Sequence, residues 1–189
     1  MRYLSGVILY LAVVSISLAQ VLVELSNESY AQYEASDSNN VSWQGRAPID
    51  SLELLLDQAD LGNSSLRIVI KATEFRSGNI IRDADARRVV FEVREYPDII
   101  FESTRVTAQG ALQKGLQEIQ LTGNLSMHGV TKSLTLKVEL ELEDTVLRAT
   151  GTFQVLLSDF AMRRPSLFGN TVNDEINITF DIRGSLQSE

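Results

Sequence analysis

Cysteine is absent from these 189 residues, and histidine occurs once, at His128. Without thiols there are no disulfides, no thiol nucleophile and no cysteine-held metal, so the core alone must hold the fold. A single histidine excludes a conventional multi-histidine metal centre within one chain. The sequence also lacks a Gly-x-Ser-x-Gly elbow, a phosphate-binding loop and a dinucleotide fingerprint, which removes the commonest hydrolase, nucleotide and dehydrogenase readings. Beyond the first twenty residues, charge breaks every apolar run within a few positions, so no later segment is predicted to cross a membrane or insert stably in one.

The N-terminus itself reads as an export leader. Arg2 supplies a positive start, Val7 to Val14 forms a short apolar stretch, and Ser17-Leu18-Ala19 offers small residues at the positions a signal peptidase reads. Cleavage after Ala19 is expected, leaving one domain, residues 20–189, in the periplasm or secreted. The apolar run is too short for a membrane anchor. Losing Arg2 leaves 16 basic against 25 acidic residues, a net charge of −9. A field of that sign repels nucleic acid and anionic headgroups at long range.

What the sequence has in abundance is two-residue alternation. Ile119, Leu121, Leu125 and Met127 alternate with Gln120, Thr122, Asn124 and Ser126. Leu134, Leu136, Val138, Leu140 and Leu142 oppose Lys137, Glu139, Glu141 and Glu143, and Ile176, Ile178, Phe180 and Ile182 oppose Asn177, Thr179, Asp181 and Arg183. Each segment is a strand with one buried and one wet face. Less regular strands are predicted at 29–35, 40–45, 51–58, 66–72 and 98–106, and a further one at 146–157. The total of about eight or nine suits a sandwich or a closed barrel, and the short polar connections favour antiparallel neighbours. The exception is 79–93, where Ile80, Ala84, Arg87 and Val90-Phe91 recur at helical spacing and Asp83 and Asp85 favour an early helical turn. A short helix near 80–91 is predicted to cover one barrel end. Pro97 then suits the edge of the next strand.

Three segments resemble the YceI-like family. They are SGNIIRDADARRVVFEVREYPDIIFEST at 77–104, LTGNLSMHGVTKSLTLKV at 121–138, and Phe153, Asp159-Phe160 and DEINITFDI within 151–182. With weaker agreement from Ser29 to Gly45, the resemblance covers nearly all of 20–189. It implies an all-β fold, a lipocalin-like eight-stranded antiparallel β-barrel around an elongated apolar cavity. It also implies a non-catalytic carrier of a polyisoprenoid, a quinone or a polyprenyl phosphate, with no cofactor. Three features depart from the family pattern: a short loop between Ala35 and Val41, Ala161 where glycine commonly follows Asp-Phe, and Ser158 where a basic residue is frequent. The last two put the head-group contacts in question more than the barrel.

Candidate lining residues are Trp43, Leu54, Ile70, Phe101, Leu121, Leu136, Phe153 and Phe180. Inward apolar residues are normal in any barrel, so each of them equally suits a packed dry core. Head-group candidates are Arg82, beside Arg87 and Arg88, and Arg163, beside Arg164, because arginine forks match phosphate oxygens. Exposed arginines near Asp83 and Asp85 also suit solvated ion pairs. His128, in the turn Met127-His128-Gly129, is expected to bond local backbone rather than a metal or substrate. The carboxylates lie on wet strand faces, and five Asn-x-Ser/Thr sequons, two of them mid-strand, are taken as chance. Two rival functions stay open: a ligand-free structural or stress-related interaction protein with a packed barrel, and an enzyme with carboxylates at the barrel mouth. An edge-strand homodimer has no specific signature here.

Overall fold

A computed structural model describes residues 20–167 and 169–186, so the expected leader, residues 1–19, lies outside the described residues. The principal strands are β1 (Gln20–Leu25), β2 (Tyr30–Ser36), β3 (Ser42–Pro48), β4 (Ser51–Asp57), β5 (Ser65–Lys71), β6 (Asp98–Thr107), β7 (Gly115–Met127), β8 (Val130–Glu143), β9 (Val146–Leu156) and β12 (Glu175–Leu186). Between the last two, β10 (Ser166–Leu167) and β11 (Asn170–Thr171) form a small separate hairpin.

The sheet order is β1-β4-β5-β6-β7-β8-β9-β12-β2-β3, and β1 also pairs with β12, which closes the ring. One side of β12 carries β2 along residues 177–181 and β1 along residues 184–186, while its other side pairs with β9 throughout. Thus β1 and β2 are two pieces of one wall strand, and β3 and β4, which pair with them, are two pieces of the next. Counted that way, the barrel has eight antiparallel strands, as the sequence predicts. Closure gives β12 a partner on both sides, while β3, at the end of the sheet order, pairs along its length with β2.

The two jogs are stitched rather than loose. At the first, buried Ser29 accepts from the Arg183 amide through Oγ (2.9 Å) and donates to the Arg183 carbonyl (3.1 Å). At the second, the Ile49 amide donates to the Ser29 carbonyl and the Asp50 amide to the Val69 carbonyl. Strand β1 and the β10–β11 hairpin are additions to the predicted strands. A bulge between Ser103 and Arg105 explains why alternation falters in β6: Phe101 and Val106, of opposite parity, both face inward.

Beside the closure seam, the β9–β12 pair carries a dense polar cluster. Arg148 and Arg183 stand directly opposite each other on β9 and β12, a pairing that repels unless an anion separates them. Asp181 does so. Arg148 donates to both its oxygens (3.0 and 2.8 Å), as does Arg183 (3.2 and 3.2 Å), and Arg183 also reaches Glu28 on the first jog (2.7 Å). These hydrogen bonds, led by those from Arg148, outweigh desolvation and lower the Asp181 pKa to about 2.

The connections fall into two unequal sets. One end has 58–64, 108–114 and the hairpin turn 144–145. The other has 37–41, 72–97, the turn 128–129 and 157–174. The long segment 72–97 contains α1 (Ile80–Asp85), continued by a wider helical turn at Ala86–Val90, where the helix is expected. Asn79 caps α1 by accepting from the Ile81 and Arg82 amides, both at 3.1 Å. Buried Asp83 ties the helix back to Ser77, accepting from its amide (2.9 Å) and hydroxyl (2.6 Å). Burial opposes the charge on Asp83, yet these bonds keep its pKa below the usual carboxylate value.

The Asp181 cluster makes a prediction. Replacing Asp181 by Asn leaves two facing arginines that remain partly hydrated, so the loss should fall below that of a fully buried broken pair, at about 1–3 kcal/mol near neutral pH. Because the native pKa is depressed, this stabilisation is present above the ordinary carboxylate range and disappears as pH falls through about 2. Urea denaturation from neutral pH down to pH ~2 should therefore show the wild-type and Asp181→Asn stabilities converging in acid. A gap that stays constant with pH would mean that Asp181 acts through packing.

Candidate functional site

The interior is a cavity of about 670 Å³ running the length of the barrel. That is the space of about twenty water molecules and far exceeds a packing defect. All eight candidate residues line it: Trp43, Leu54, Ile70, Phe101, Leu121, Leu136, Phe153 and Phe180.

An eight-stranded ring is narrow enough for large inward side chains to fill it. Here three aromatic rings lie against the wall instead of projecting across. Tyr33 lies over Gly45, Phe101 over Gly123 and Phe180 over Gly151, each on a neighbouring strand. A Cβ at any of these glycines would collide with the ring, so their missing side chains are what let the rings lie flat. Burial, then the Asp83 charge, push the Tyr33 phenol above its ordinary pKa and keep it neutral.

One end of the cavity is shut. Leu61, only 1% exposed, plugs it from the turn between β4 and β5, where its amide donates to the Gly110 carbonyl. Beneath it Asp57 accepts from the Asp60 and Ala59 amides and the Asn63 side chain, and these bonds lower its pKa. Ser64, which lines the cavity at this end, accepts from the Asp57 amide through Oγ (3.0 Å).

The other end is built by α1 and the loops around it. Phe91 stacks on Phe75 (ring centroids 5.5 Å, 9° between planes), and Phe75 meets Tyr33 (5.5 Å), pinning the helical segment to the rim. Loop 37–41 is tied to the segment leading into β12, the neighbour of β2: the Ser38 amide donates to the Thr171 carbonyl, and Asn173 donates to Ser36 Oγ and the Asp37 carbonyl. Asp37, Asn79, Arg82, Asp85 and Asn170 gather at this mouth, whereas the lumen below is almost wholly apolar.

Among these, Arg82 is distinctive. Its guanidinium lies 4.9 Å from the centre of the Trp43 ring and enters no ion pair among the described residues. Its neighbours are committed elsewhere: Arg87 donates to the Asp83 carbonyl (3.0 Å) and Arg88 pairs with Asp85 (3.1 Å). The second head-group candidate, Arg163, is placed differently. It is exposed, pairs with Glu92 (3.6 Å) and does not line the cavity, while Arg164 donates to the Val172 carbonyl. Of the two candidates, only Arg82 therefore reaches the mouth.

His128 is half-buried, and its Nδ1 meets the Phe160 carbonyl (3.1 Å) across the mouth-end loops rather than local backbone. This corrects the expected turn contact. The turn places His128 and Gly129 at positive φ (52° and 74°), as a two-residue hairpin requires, and so aims the ring at Phe160 and against Tyr96. The three buried carboxylates, Asp57, Asp83 and Asp181, lie apart, each held by its own donors. Among the described residues no three acidic or histidine side chains converge as a metal site.

Sequence reasoning missed Tyr33, Phe75, Phe91 and Val41 as lining residues. Tyr33 was detectable, since Ala31, Tyr33 and Ala35 alternate. Phe75 and Phe91 belong to irregular segments with no period to mark them.

Comparison with known proteins agrees with this architecture. A family model described as YceI-like domain matches residues 26–184. A UPF0312 protein of Vibrio parahaemolyticus is 30% identical over 97 residues, 51% of this chain and 49% of that protein, so the match spans about half the relative's length. A UPF0312 protein of Pseudomonas putida is 29% identical over 131 residues, 65% of each chain. Among solved structures, a polyisoprenoid-binding domain from Saccharophagus degradans, implicated in plant cell wall breakdown, superposes with a TM-score of 0.69 at 15% identity, covering 88% of this chain and 99% of that one. The YceI protein of Campylobacter jejuni superposes with a TM-score of 0.60 at 17% identity, covering 100% and 99%. These likenesses carry the barrel, and the match over residues 26–184 carries the family: this chain belongs to the YceI-like domain family.

Proposed function

We propose that this protein is an exported, non-catalytic carrier that holds a polyisoprenoid or similar long apolar molecule in its barrel, tail toward Leu61 and head at Arg82. One observation carries the reading: the cavity is apolar along its length, and its charged lining residues gather at one mouth. Such a gradient suits an amphipathic chain entering tail first. Its volume lies within the usual range of small-molecule sites, about 300–1,000 Å³. Each buried methylene contributes about 0.8 kcal/mol, so hydrocarbon alone supports firm binding without dense polar contacts. The name of the Saccharophagus neighbour supports an isoprenoid as ligand. The rival packed barrel requires a filled interior, and the open lumen counts against it. A quinone fits the same cavity, with its ring at the mouth. Export rests on residues 1–19 and is checked by N-terminal sequencing of the protein recovered outside the cytoplasm.

Native mass spectrometry of the exported protein, followed by organic extraction, should find a stoichiometric prenyl lipid. A protein that arrives empty and takes up neither added ubiquinone nor undecaprenyl phosphate would sink the carrier reading.

Chain length gives a finer test. Ala149 faces the lumen in the half nearer the closed end, so Ala149→Phe should shorten the cavity without adding charge. Each methylene thereby excluded should weaken binding roughly fourfold. Long prenols should lose affinity in titrations while short ones hold theirs. Equal loss at all lengths would mean the tail does not lie in that half.

For the head group, Arg82→Gln should weaken a polyprenyl phosphate about tenfold and leave the parent alcohol nearly unchanged. Arg163→Gln should alter neither. A loss shared by phosphate and alcohol would show that Arg82 supports the mouth's shape and does not contact phosphate.

A further inference from the structure

Two isoleucines open α1, and both face solvent: Ile80 is 85% exposed and Ile81 74%. Helix formation does not require them there, because the Asn79 cap and the Asp83–Ser77 bonds already fix this turn. At the same mouth, Val41 is 58% exposed on loop 37–41. Ile81 and Val41 also line the cavity, so the apolar surface of the lumen continues over the rim into solvent at these two points. The other large exposed apolar side chains, Leu55, Leu116 and Val146, belong to the outward-facing sets of β4, β7 and β9 and do not line the lumen.

We infer that Ile80, Ile81 and Val41 are a docking rim that seats the mouth on a lipid bilayer, so that the ligand passes between membrane and barrel without crossing water. The inference rests on the carrier reading for the cargo, and on the rim's own geometry for the surface. A bilayer is the partner that matches an apolar rim continuous with an apolar lumen: acyl chains can meet the isoleucines at the point where the tail must enter. Partly exposed Arg82, which enters no ion pair among the described residues, then stands at headgroup depth. Charge permits the approach at this end. Connections 37–41, 72–97, 128–129 and 157–174 carry seven arginines against eight acids, whereas the rest of the chain carries 10 basic against 17 acidic residues. Of those eight acids, Asp83 is buried and Asp174 is held by Ser158. The mouth is therefore nearly neutral on a protein whose remaining surface is strongly acidic, so electrostatics favours approach to a membrane mouth first.

The test uses protein expressed from the complete chain, wild type and the double variant I80S/I81S, so that any contribution of residues 1–19 is common to both. Flotation with phosphatidylcholine vesicles in the absence of added ligand reads docking alone. Transfer of dansyl-labelled geranylgeraniol to the same vesicles reads delivery, followed by energy transfer from Trp43, the sole tryptophan, which lines the mouth. The wild type should float, and its transfer rate should rise with vesicle concentration. The double variant should stay in the soluble fraction and transfer about tenfold more slowly, with no dependence on vesicle concentration. Ile81 lines the cavity, so affinity is controlled with the single variant Ile80→Ser, at a position whose side chain does not line it. This variant should float less than the wild type while binding the probe in vesicle-free solution as tightly. Wild-type protein that does not float, or a double variant that floats and transfers as the wild type does, would overturn the docking rim and leave the isoleucines to a protein partner. Failure of the probe to bind in solution, with flotation intact and lost in the variant, would overturn the carrier reading while upholding the docking surface.

Discussion

Everything in this molecule depends on the pairing of its first described strands with its last. Strand β12 holds β9 on one side and β1 with β2 on the other, so a curled sheet becomes a closed ring. Closure satisfies the backbone groups along the seam and forces the alternate side chains of eight strands to converge on one axis. With no cysteine, nothing covalent enforces this. The seam is reinforced instead by Ser29 bonded to both backbone groups of Arg183 and by the Arg183–Glu28 ion pair, while Asp181 sits between two facing arginines on the adjoining β9–β12 pair. The polar cluster sits on the outer wall, where its charges keep some water, and it leaves the lumen free of charge.

Convergence alone would give a packed core. The lumen stays open because large and absent side chains are paired across strands: Phe101 with Gly123, Phe180 with Gly151, Tyr33 with Gly45. A ring over a glycine covers backbone that would otherwise be bare and keeps its own bulk at the wall. The arrangement has a cost, since lining side chains forfeit dispersion contacts on their inner side while the space is empty. A hydrocarbon chain in that space restores those contacts. The same feature that weakens the empty barrel thus makes it a receptor for a slender apolar molecule.

Much of the wall was legible in the sequence, because a period of two survives wherever a strand has one wet face. Leu121, Leu136, Phe153 and Phe180 were found in that way, and the YceI-like resemblance turned them from core candidates into cavity candidates. Legibility failed where geometry breaks the period. The bulge at Ser103–Arg105 shifts the parity of β6, and the jogs near Ser29 and Ile49 cut two wall strands into four pieces. It failed again for contacts distant in sequence. Nothing near Arg82 marks Trp43 as its partner, and nothing near His128 marks the Phe160 carbonyl. The two departures in the Asp-Phe segment become intelligible only in three dimensions. Ala161 takes φ 54°, the left-handed conformation that glycine adopts at no steric cost, and Ser158 holds Asp174 through both its amide and hydroxyl. These changes adjust the wall of the mouth and leave Arg82 in place.

The asymmetry of the two ends follows from the topology. The short connections 58–64, 108–114 and 144–145 make a tight floor, and there Asp57 is held locally by Ala59, Asp60 and Asn63. The opposite end receives the long crossings 72–97 and 157–174, which are too long to be simple turns and must find their own packing. The first finds it in the Phe91–Phe75–Tyr33 stack, which fixes α1 over the rim but cannot cover it. Ile80 and Ile81 are left outside and Arg82 is left at the edge for one reason: a six-residue helix has too little surface to bury one face and also seal a mouth. Directionality, head group and rim thus share a single structural cause, the unequal length of the connections at the two ends of an otherwise regular ring.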